Sequence, residues 1–183
     1  MTATVLTHGC RSNLAERDAL AALAPPGATV LNSCAVTAEA VRDARAAARK
    51  AARTGPVYVT GCAATLEPAR FADIATIIPN ALKLDPATWS RTATLPAVTR
   101  QSRAFVAIQD GCDHACTFCV TTLARGASRS VPLAEIVTHV EALAGQGVAE
   151  VVLTGIDTTS YGQDLATRPT LGNLVQAILA RVP

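Results

Sequence analysis

The stretch ATVLNSCAVTAEAVRDARAAARKAARTGPVYVTGC, residues 28–62, reads as strand, helix, strand. Its two ends, Ala28–Leu31 and Val57–Thr60, are short aliphatic runs flanked by turn-forming Asn, Ser, Gly and Pro. Between them Thr37 stands where a helix N-cap belongs. An Ala- and Arg-rich helix then runs to about Arg53, where Gly55-Pro56 stops it. Strands joined by helices are crossover units, and crossovers build parallel sheets. The alternation continues upstream with a strand at Thr4–Thr7 and a helix opening near Asn13, where Asn13 and Glu16 have capping-box spacing. Downstream, Ala75–Ile78 is a fourth candidate strand. In a parallel sheet all carboxyl ends share one edge, and ligands bind there. Cys10, Cys34 and Cys62 each stand just past a strand's carboxyl end, so the fold should bring three thiols to that edge. They read as zinc ligands with a fourth donor such as His8, as ligands to an iron–sulfur cluster with one iron left open, or as buried structural cysteines.

Composition sets the frame. The chain has 183 residues, enough for one domain and part of a second. Its net charge of +2 is too weak to mark a nucleic-acid binder by bulk electrostatics. With 50% hydrophobic and 16% charged residues the chain is not disordered, and 3% aromatics makes its core aliphatic. No apolar run reaches the ~20 residues of a membrane span. Met1–Cys10 lacks the basic and apolar segments of a secretory signal. The expected location is therefore cytoplasmic, where six cysteines are metal ligands or catalysts rather than disulfides.

A Thr-, Pro- and Arg-rich linker, residues 85–103, divides an N-terminal unit (1–84) from a second unit (104–183). The second opens with a strand at Phe105–Gln109, followed directly by Gly111-Cys112-Asp113-His114-Ala115-Cys116-Thr117-Phe118-Cys119. This C-x3-C-x2-C spacing differs from the paired C-x2-C knuckles of structural zinc sites, although three cysteines with His114 offer a zinc alternative. A helix from Pro132 to about Ala144, a strand at Val148–Thr154 and a helix at Leu171–Leu179 follow. Leu171, Leu174, Val175, Ile178 and Leu179 give the last helix an apolar stripe. Arg42, Arg45, Arg49 and Arg53 fall on one face of the 37–53 helix, a solvated face or a phosphate-contacting stripe. Arg125 and Arg129 follow the cysteine loop, where a substrate or cofactor role suits them. His139 lies off its helix's apolar stripe, in solvent.

The cysteine loop resembles the cluster motif of radical S-adenosylmethionine enzymes, with Phe118 as the aromatic before its last cysteine. Thr7-His8-Gly9-Cys10-Arg11, Asn32-Ser33-Cys34-Ala35-Val36-Thr37 and Val59-Thr60-Gly61-Cys62-Ala63 resemble the N-terminal domain of the methylthiotransferases. Ile108-Gln109-Asp110-Gly111-Cys112, Ala124-Arg125-Gly126 with Arg129-Ser130, and Val152-Leu153-Thr154-Gly155-Ile156-Asp157 continue the match in order over nearly the whole chain.

The resemblance implies an α/β protein: a Rossmann-like parallel-sheet domain, then the first two strand–helix units of a partial barrel. It implies that Cys112, Cys116 and Cys119 bind a [4Fe–4S] cluster that chelates S-adenosylmethionine and cleaves it to a 5′-deoxyadenosyl radical. Phe118, Thr154, Gly155 and Arg125 would contact that cofactor. Cys10, Cys34 and Cys62 would hold an auxiliary [4Fe–4S] cluster presenting the sulfur that is methylated and inserted. The implied substrate is a tRNA adenosine beside the anticodon, and the electron donor a flavodoxin or ferredoxin. Thr154-Gly155-Ile156 followed by Tyr161-Gly162-Gln163-Asp164-Leu165 looks most like the threonylcarbamoyl-adenosine branch, although Asp157 and Thr159 depart from its pattern. An isopentenyl-adenosine enzyme and a non-catalytic iron–sulfur or zinc module derived from the enzyme remain alternatives. The family's further strands and RNA-binding module would be missing from a chain ending at Pro183, so the expectation is a truncated, inactive form.

Overall fold

The computed structural model describes residues 2–90, 102–114 and 116–182. Strands β1 (Thr4–Thr7), β2 (Thr29–Ser33), β3 (Val57–Gly61) and β4 (Thr76–Ile77) form one parallel sheet in chain order, with Leu6 opposite Leu31 and Leu31 opposite Val59. Side chains alternate across a strand, so each strand feeds two cores. Leu31, Val57 and Val59 pack with Val41, Ala44 and Ala48 of helix α3 (Ala38–Ala51). Val30 packs on the other face with Leu20 and Leu23 of α2 (Arg17–Leu23) and with Trp89. The Thr37 hydroxyl accepts the Ala40 amide and caps α3, as its position in the sequence predicts.

The start of the first helix differs from expectation. Short α1 (Arg11–Ala15) begins after Cys10, so Asn13 lies inside it and is buried. Glu16 is buried too and pairs with distant cations instead of capping a helix. Among the described residues a capping box forms instead at Thr170 and Asn173, which close the N-terminus of α7 (Leu171–Leu179).

The second sheet pairs β5 (Arg103–Ala107) with β8 (Glu150–Thr154) in parallel. The strand expected to run to Gln109 breaks at Ile108. Gln109–Asp110 becomes β6, antiparallel to β7 (Arg129–Ser130). Helix α6 (Leu133–Gly145), following Pro132, covers the parallel pair with Ile136, Val137, Val140 and Leu143 around Val106 and Ile108. From α7, Leu174 is fully buried, while Val175 and Leu179 of the same stripe stay exposed. Most of the linker, residues 91–101, lies outside the described residues. No helix of the described chain is long and apolar enough to cross a membrane.

Candidate cluster sites and the network between them

At the carboxyl edge of the first sheet, Thr7 stands opposite Asn32, and Ser33 opposite Gly61. Cys34 therefore leaves β2 beside the point where Cys62 opens helix α4 (Cys62–Leu66) after β3. The Ser33 hydroxyl ties the two ends, donating to the Thr60 carbonyl at 2.5 Å and accepting the Ala64 amide at 3.2 Å. The loop bearing Cys10 crosses over Cys34. Gly9 has φ +87°, and a Cβ there would stand 2.5 Å from the Cys34 sulfur, so only glycine admits this approach. Cys34 and Cys62 are buried and Cys10 is exposed. Burial pushes the Cys62 thiol up, while the Arg125 and Lys83 charges pull it back.

The second trio sits on the loop after β6. Gly111, at φ +73°, leaves no room for a Cβ against the Ala127 carbonyl, and the Cys112 amide donates to the Gly126 carbonyl at 3.0 Å. Cys119 immediately precedes helix α5 (Val120–Arg125). The amides of Thr122 and Thr121 hold its thiol below the ordinary range, which favours the thiolate a metal binds. Cys116 is exposed, as is Phe118 at 89%. Cys112, His114 and Asp157 place their ligand atoms within 4.8 Å of one another, and His114 Nε2 lies 2.8 Å from Asp157 Oδ2. The Ser160 and Thr159 hydroxyls keep the Asp157 carboxyl ionised below the usual range.

Buried Gln109 fastens this loop to the end of β8. Its Nε2 donates to the Gly111 carbonyl (2.6 Å) and Ser128 Oγ (2.9 Å), and its Oε1 accepts the amides of Ile156 and Asp157. Thr154 is buried at the end of β8, and a Cβ on Gly155 would meet Gln109 Oε1 at 2.9 Å.

Arg125 joins the two sites. Its side chain is 1% exposed. Nη1 bonds Asp110 Oδ1 at 2.6 Å and reaches Glu16 Oε1 at 3.4 Å; Nη2 donates to Asn13 Oδ1 at 2.7 Å and to Cys10 Sγ at 3.9 Å. Glu16 also takes Lys83 Nζ at 2.6 Å and Asn32 Nδ2 at 2.7 Å. A buried charge needs such compensation, and here two cations face two carboxylates. Burial opposes the Arg125 charge, but Glu16 and Asp110 hold it firmly protonated; burial lowers Lys83, with Glu16 offsetting part of that.

The structure thus brings Cys10, Cys34 and Cys62 to one sheet edge, and Cys112, Cys116 and Cys119 to one loop. Phe118 lies on that loop's surface, and Thr154 and Gly155 lie beneath it. Arg125 is committed to the buried network. The donor sets fit thiolate-bound iron–sulfur groups. Arg125 Nε, buried without an acceptor among the described residues, is a spare donor beside the first trio. The roles of Gln109, Lys83 and Glu16 escape sequence reasoning, because nothing local distinguishes a buried polar residue from a solvated one. Of the Arg42–Arg53 row, Arg45 is held by Asp73 through two bonds of 3.1 and 2.7 Å, and Arg53 lies past the end of α3.

Residues 106–178 match the radical SAM superfamily, so the cysteine loop and the β5–β8 layer define that class of protein. The chain is 36% identical to the threonylcarbamoyladenosine tRNA methylthiotransferase MtaB of Rickettsia prowazekii (strain Madrid E), over 98% of this chain and 49% of that protein. It is 33% identical to MtaB of Chlamydia pneumoniae over 84% of this chain and 42% of that protein. Over 56% of this chain and 21% of the relative, it is 38% identical to the ribosomal protein uS12 methylthiotransferase RimO of Myxococcus xanthus (strain DK1622). The chain belongs to the radical S-adenosylmethionine methylthiotransferase family. It spans about half the length of the tRNA-modifying relatives it matches.

Proposed function

We propose that this chain carries the cluster-binding portion of a methylthiotransferase that modifies threonylcarbamoyladenosine in tRNA, in the cytoplasm. The observation that carries this reading is the pair of separate three-cysteine sets, one beyond the carboxyl ends of the parallel strands β1–β3 and the other on the loop that follows β5 and β6. In this reading residues 1–84 form the auxiliary-cluster unit, 85–103 the linker and 104–183 the S-adenosylmethionine unit. Cys112, Cys116 and Cys119 hold one [4Fe–4S] cluster, and Cys10, Cys34 and Cys62 the other. When bound, the first of these supplies the electron that cleaves the cofactor's sulfonium, drawn from a flavodoxin or ferredoxin.

The chain's own residues do the positioning. Gln109 locks the cysteine loop to β8, so Thr154 and Gly155 form a fixed wall beneath it. The amides of Thr122 and Thr121 favour a thiolate at Cys119. Exposed Phe118 offers a face for the adenine. A tRNA substrate is supported over a ribosomal protein, since the similarity to the tRNA methylthiotransferases covers more of this chain than that to RimO.

The close group of Cys112, His114 and Asp157 favours one second reading, in which the loop takes a single divalent ion such as zinc. Anaerobic reconstitution with iron and sulfide separates the two. About eight irons per chain are expected, falling to about four in Cys116→Ala. Retained zinc with no iron uptake overturns the proposal.

A further inference from the structure

Helix α5 spans only six residues, yet it follows a cysteine of one trio and ends on a contact to a cysteine of the other. Cys119 immediately precedes it. Arg125, its last residue, turns away from its own loop and enters the edge of the first sheet. There its Nη2 lies 3.9 Å from Cys10 Sγ and 2.7 Å from Asn13 Oδ1. Its Nε is buried with no acceptor among the described residues, so the guanidinium has donor capacity left at this edge. Asn13 is itself anchored, donating to the His8 carbonyl at 2.8 Å, so the guanidinium is held in place from below.

We propose that Arg125 is a positioning residue of the Cys10–Cys34–Cys62 site: it supplies, from the far side of the cysteine loop, the hydrogen-bond donor and positive charge that set the reduction potential of the cluster held there. This rests on the proposed cluster at that trio. A cluster gains negative charge on reduction. N–H donors to its sulfur ligands, and a nearby cation, stabilise the reduced form and raise the potential. Asp110 acts in the opposite sense. Bonded to Nη1 at 2.6 Å, it neutralises part of the Arg125 charge without touching a first-trio cysteine among the described contacts. The first site is therefore tuned by residues of the loop that carries the second.

The test uses the full chain with Cys112→Ala, Cys116→Ala and Cys119→Ala, so that iron binds only the first trio. After anaerobic reconstitution the sample is titrated with dithionite and followed by electron paramagnetic resonance. Arg125→Gln is expected to keep about four irons and move the midpoint to more negative potential, while Asp110→Asn moves it the other way. A strut holding two parts together would not give opposite signs. An unchanged midpoint in Arg125→Gln, or shifts of the same sign in both variants, overturns the inference. Should Arg125→Gln fail to fold, Arg125→Lys keeps the charge but loses the planar fork. A smaller negative shift is expected there, and a parental midpoint overturns the donor role. If the parent takes up no iron, the cluster reading falls and the inference with it, an outcome distinct from a cluster that forms but does not shift.

Discussion

A side chain at Gly9 would have to occupy space already taken by the Cys34 sulfur, on a backbone at φ +87°. Gly9→Ala is therefore expected to cost about 1–3 kcal/mol in backbone strain and to displace Cys34. The readouts are the urea midpoint and the iron content, which should fall from about eight to about four as the first site alone is lost. Full iron loading in this variant would mean that the loop has another path. Arg45 is a case where identity alone misleads: as one of a row of arginines it looks free for phosphate, but its fork is closed on Asp73.

Among the elements, β7 and the turn at 158–164 show how a stretch that resembles a substrate motif serves architecture. The Tyr161 hydroxyl donates to the Val131 carbonyl at 3.0 Å, the Gly162 amide to Ser130 Oγ at 2.8 Å, and Asp164 Oδ2 accepts the Ser130 amide at 2.8 Å. Burial alone would raise the Asp164 carboxyl, but the Ser130 hydrogen bonds bring it below its ordinary value. A carboxyl whose pKa is lower folded than unfolded adds stability above its unfolded value, near 3.9, and loses it as pH falls through the folded one. Asp164→Asn should thus lower stability at pH 7 and flatten its pH dependence below about 4. Thermal unfolding across pH 2–7 (about the carboxylate range) checks this; parallel curves for the two proteins would refute it.

On the scale of the whole molecule, the buried charges tie the first sheet's helices and loops to α5 and β6. Glu16 meets Lys83 and Arg125, and Arg125 meets Asp110. Removing one partner leaves a buried charge uncompensated, so Glu16→Ala is expected to destabilise the protein by about 3–5 kcal/mol. Trp89 is the sole tryptophan and donates its Nε1–H to the Lys83 carbonyl at 2.8 Å, which makes its fluorescence a probe of this junction in urea. Replacing Glu16 and Arg125 together by apolar residues should not restore stability, because buried Lys83 then loses its carboxylate and Asp110 its buried cation.

Alternating strands and helices placed Cys10, Cys34 and Cys62 correctly at one sheet edge, because strand periodicity, turn residues and the Thr37 cap are local signals that survive into the fold. The spacing of Cys112, Cys116 and Cys119 put them on one loop for the same reason. The break of the strand at Ile108, the burial of Asn13 and Glu16, and the path of Arg125 into the first site were decided only by the tertiary structure. Glu16 and Arg125 are 109 residues apart in sequence. Whether such residues bury their charge or leave it in water depends on which partner the rest of the chain brings to them, and no local pattern encodes that.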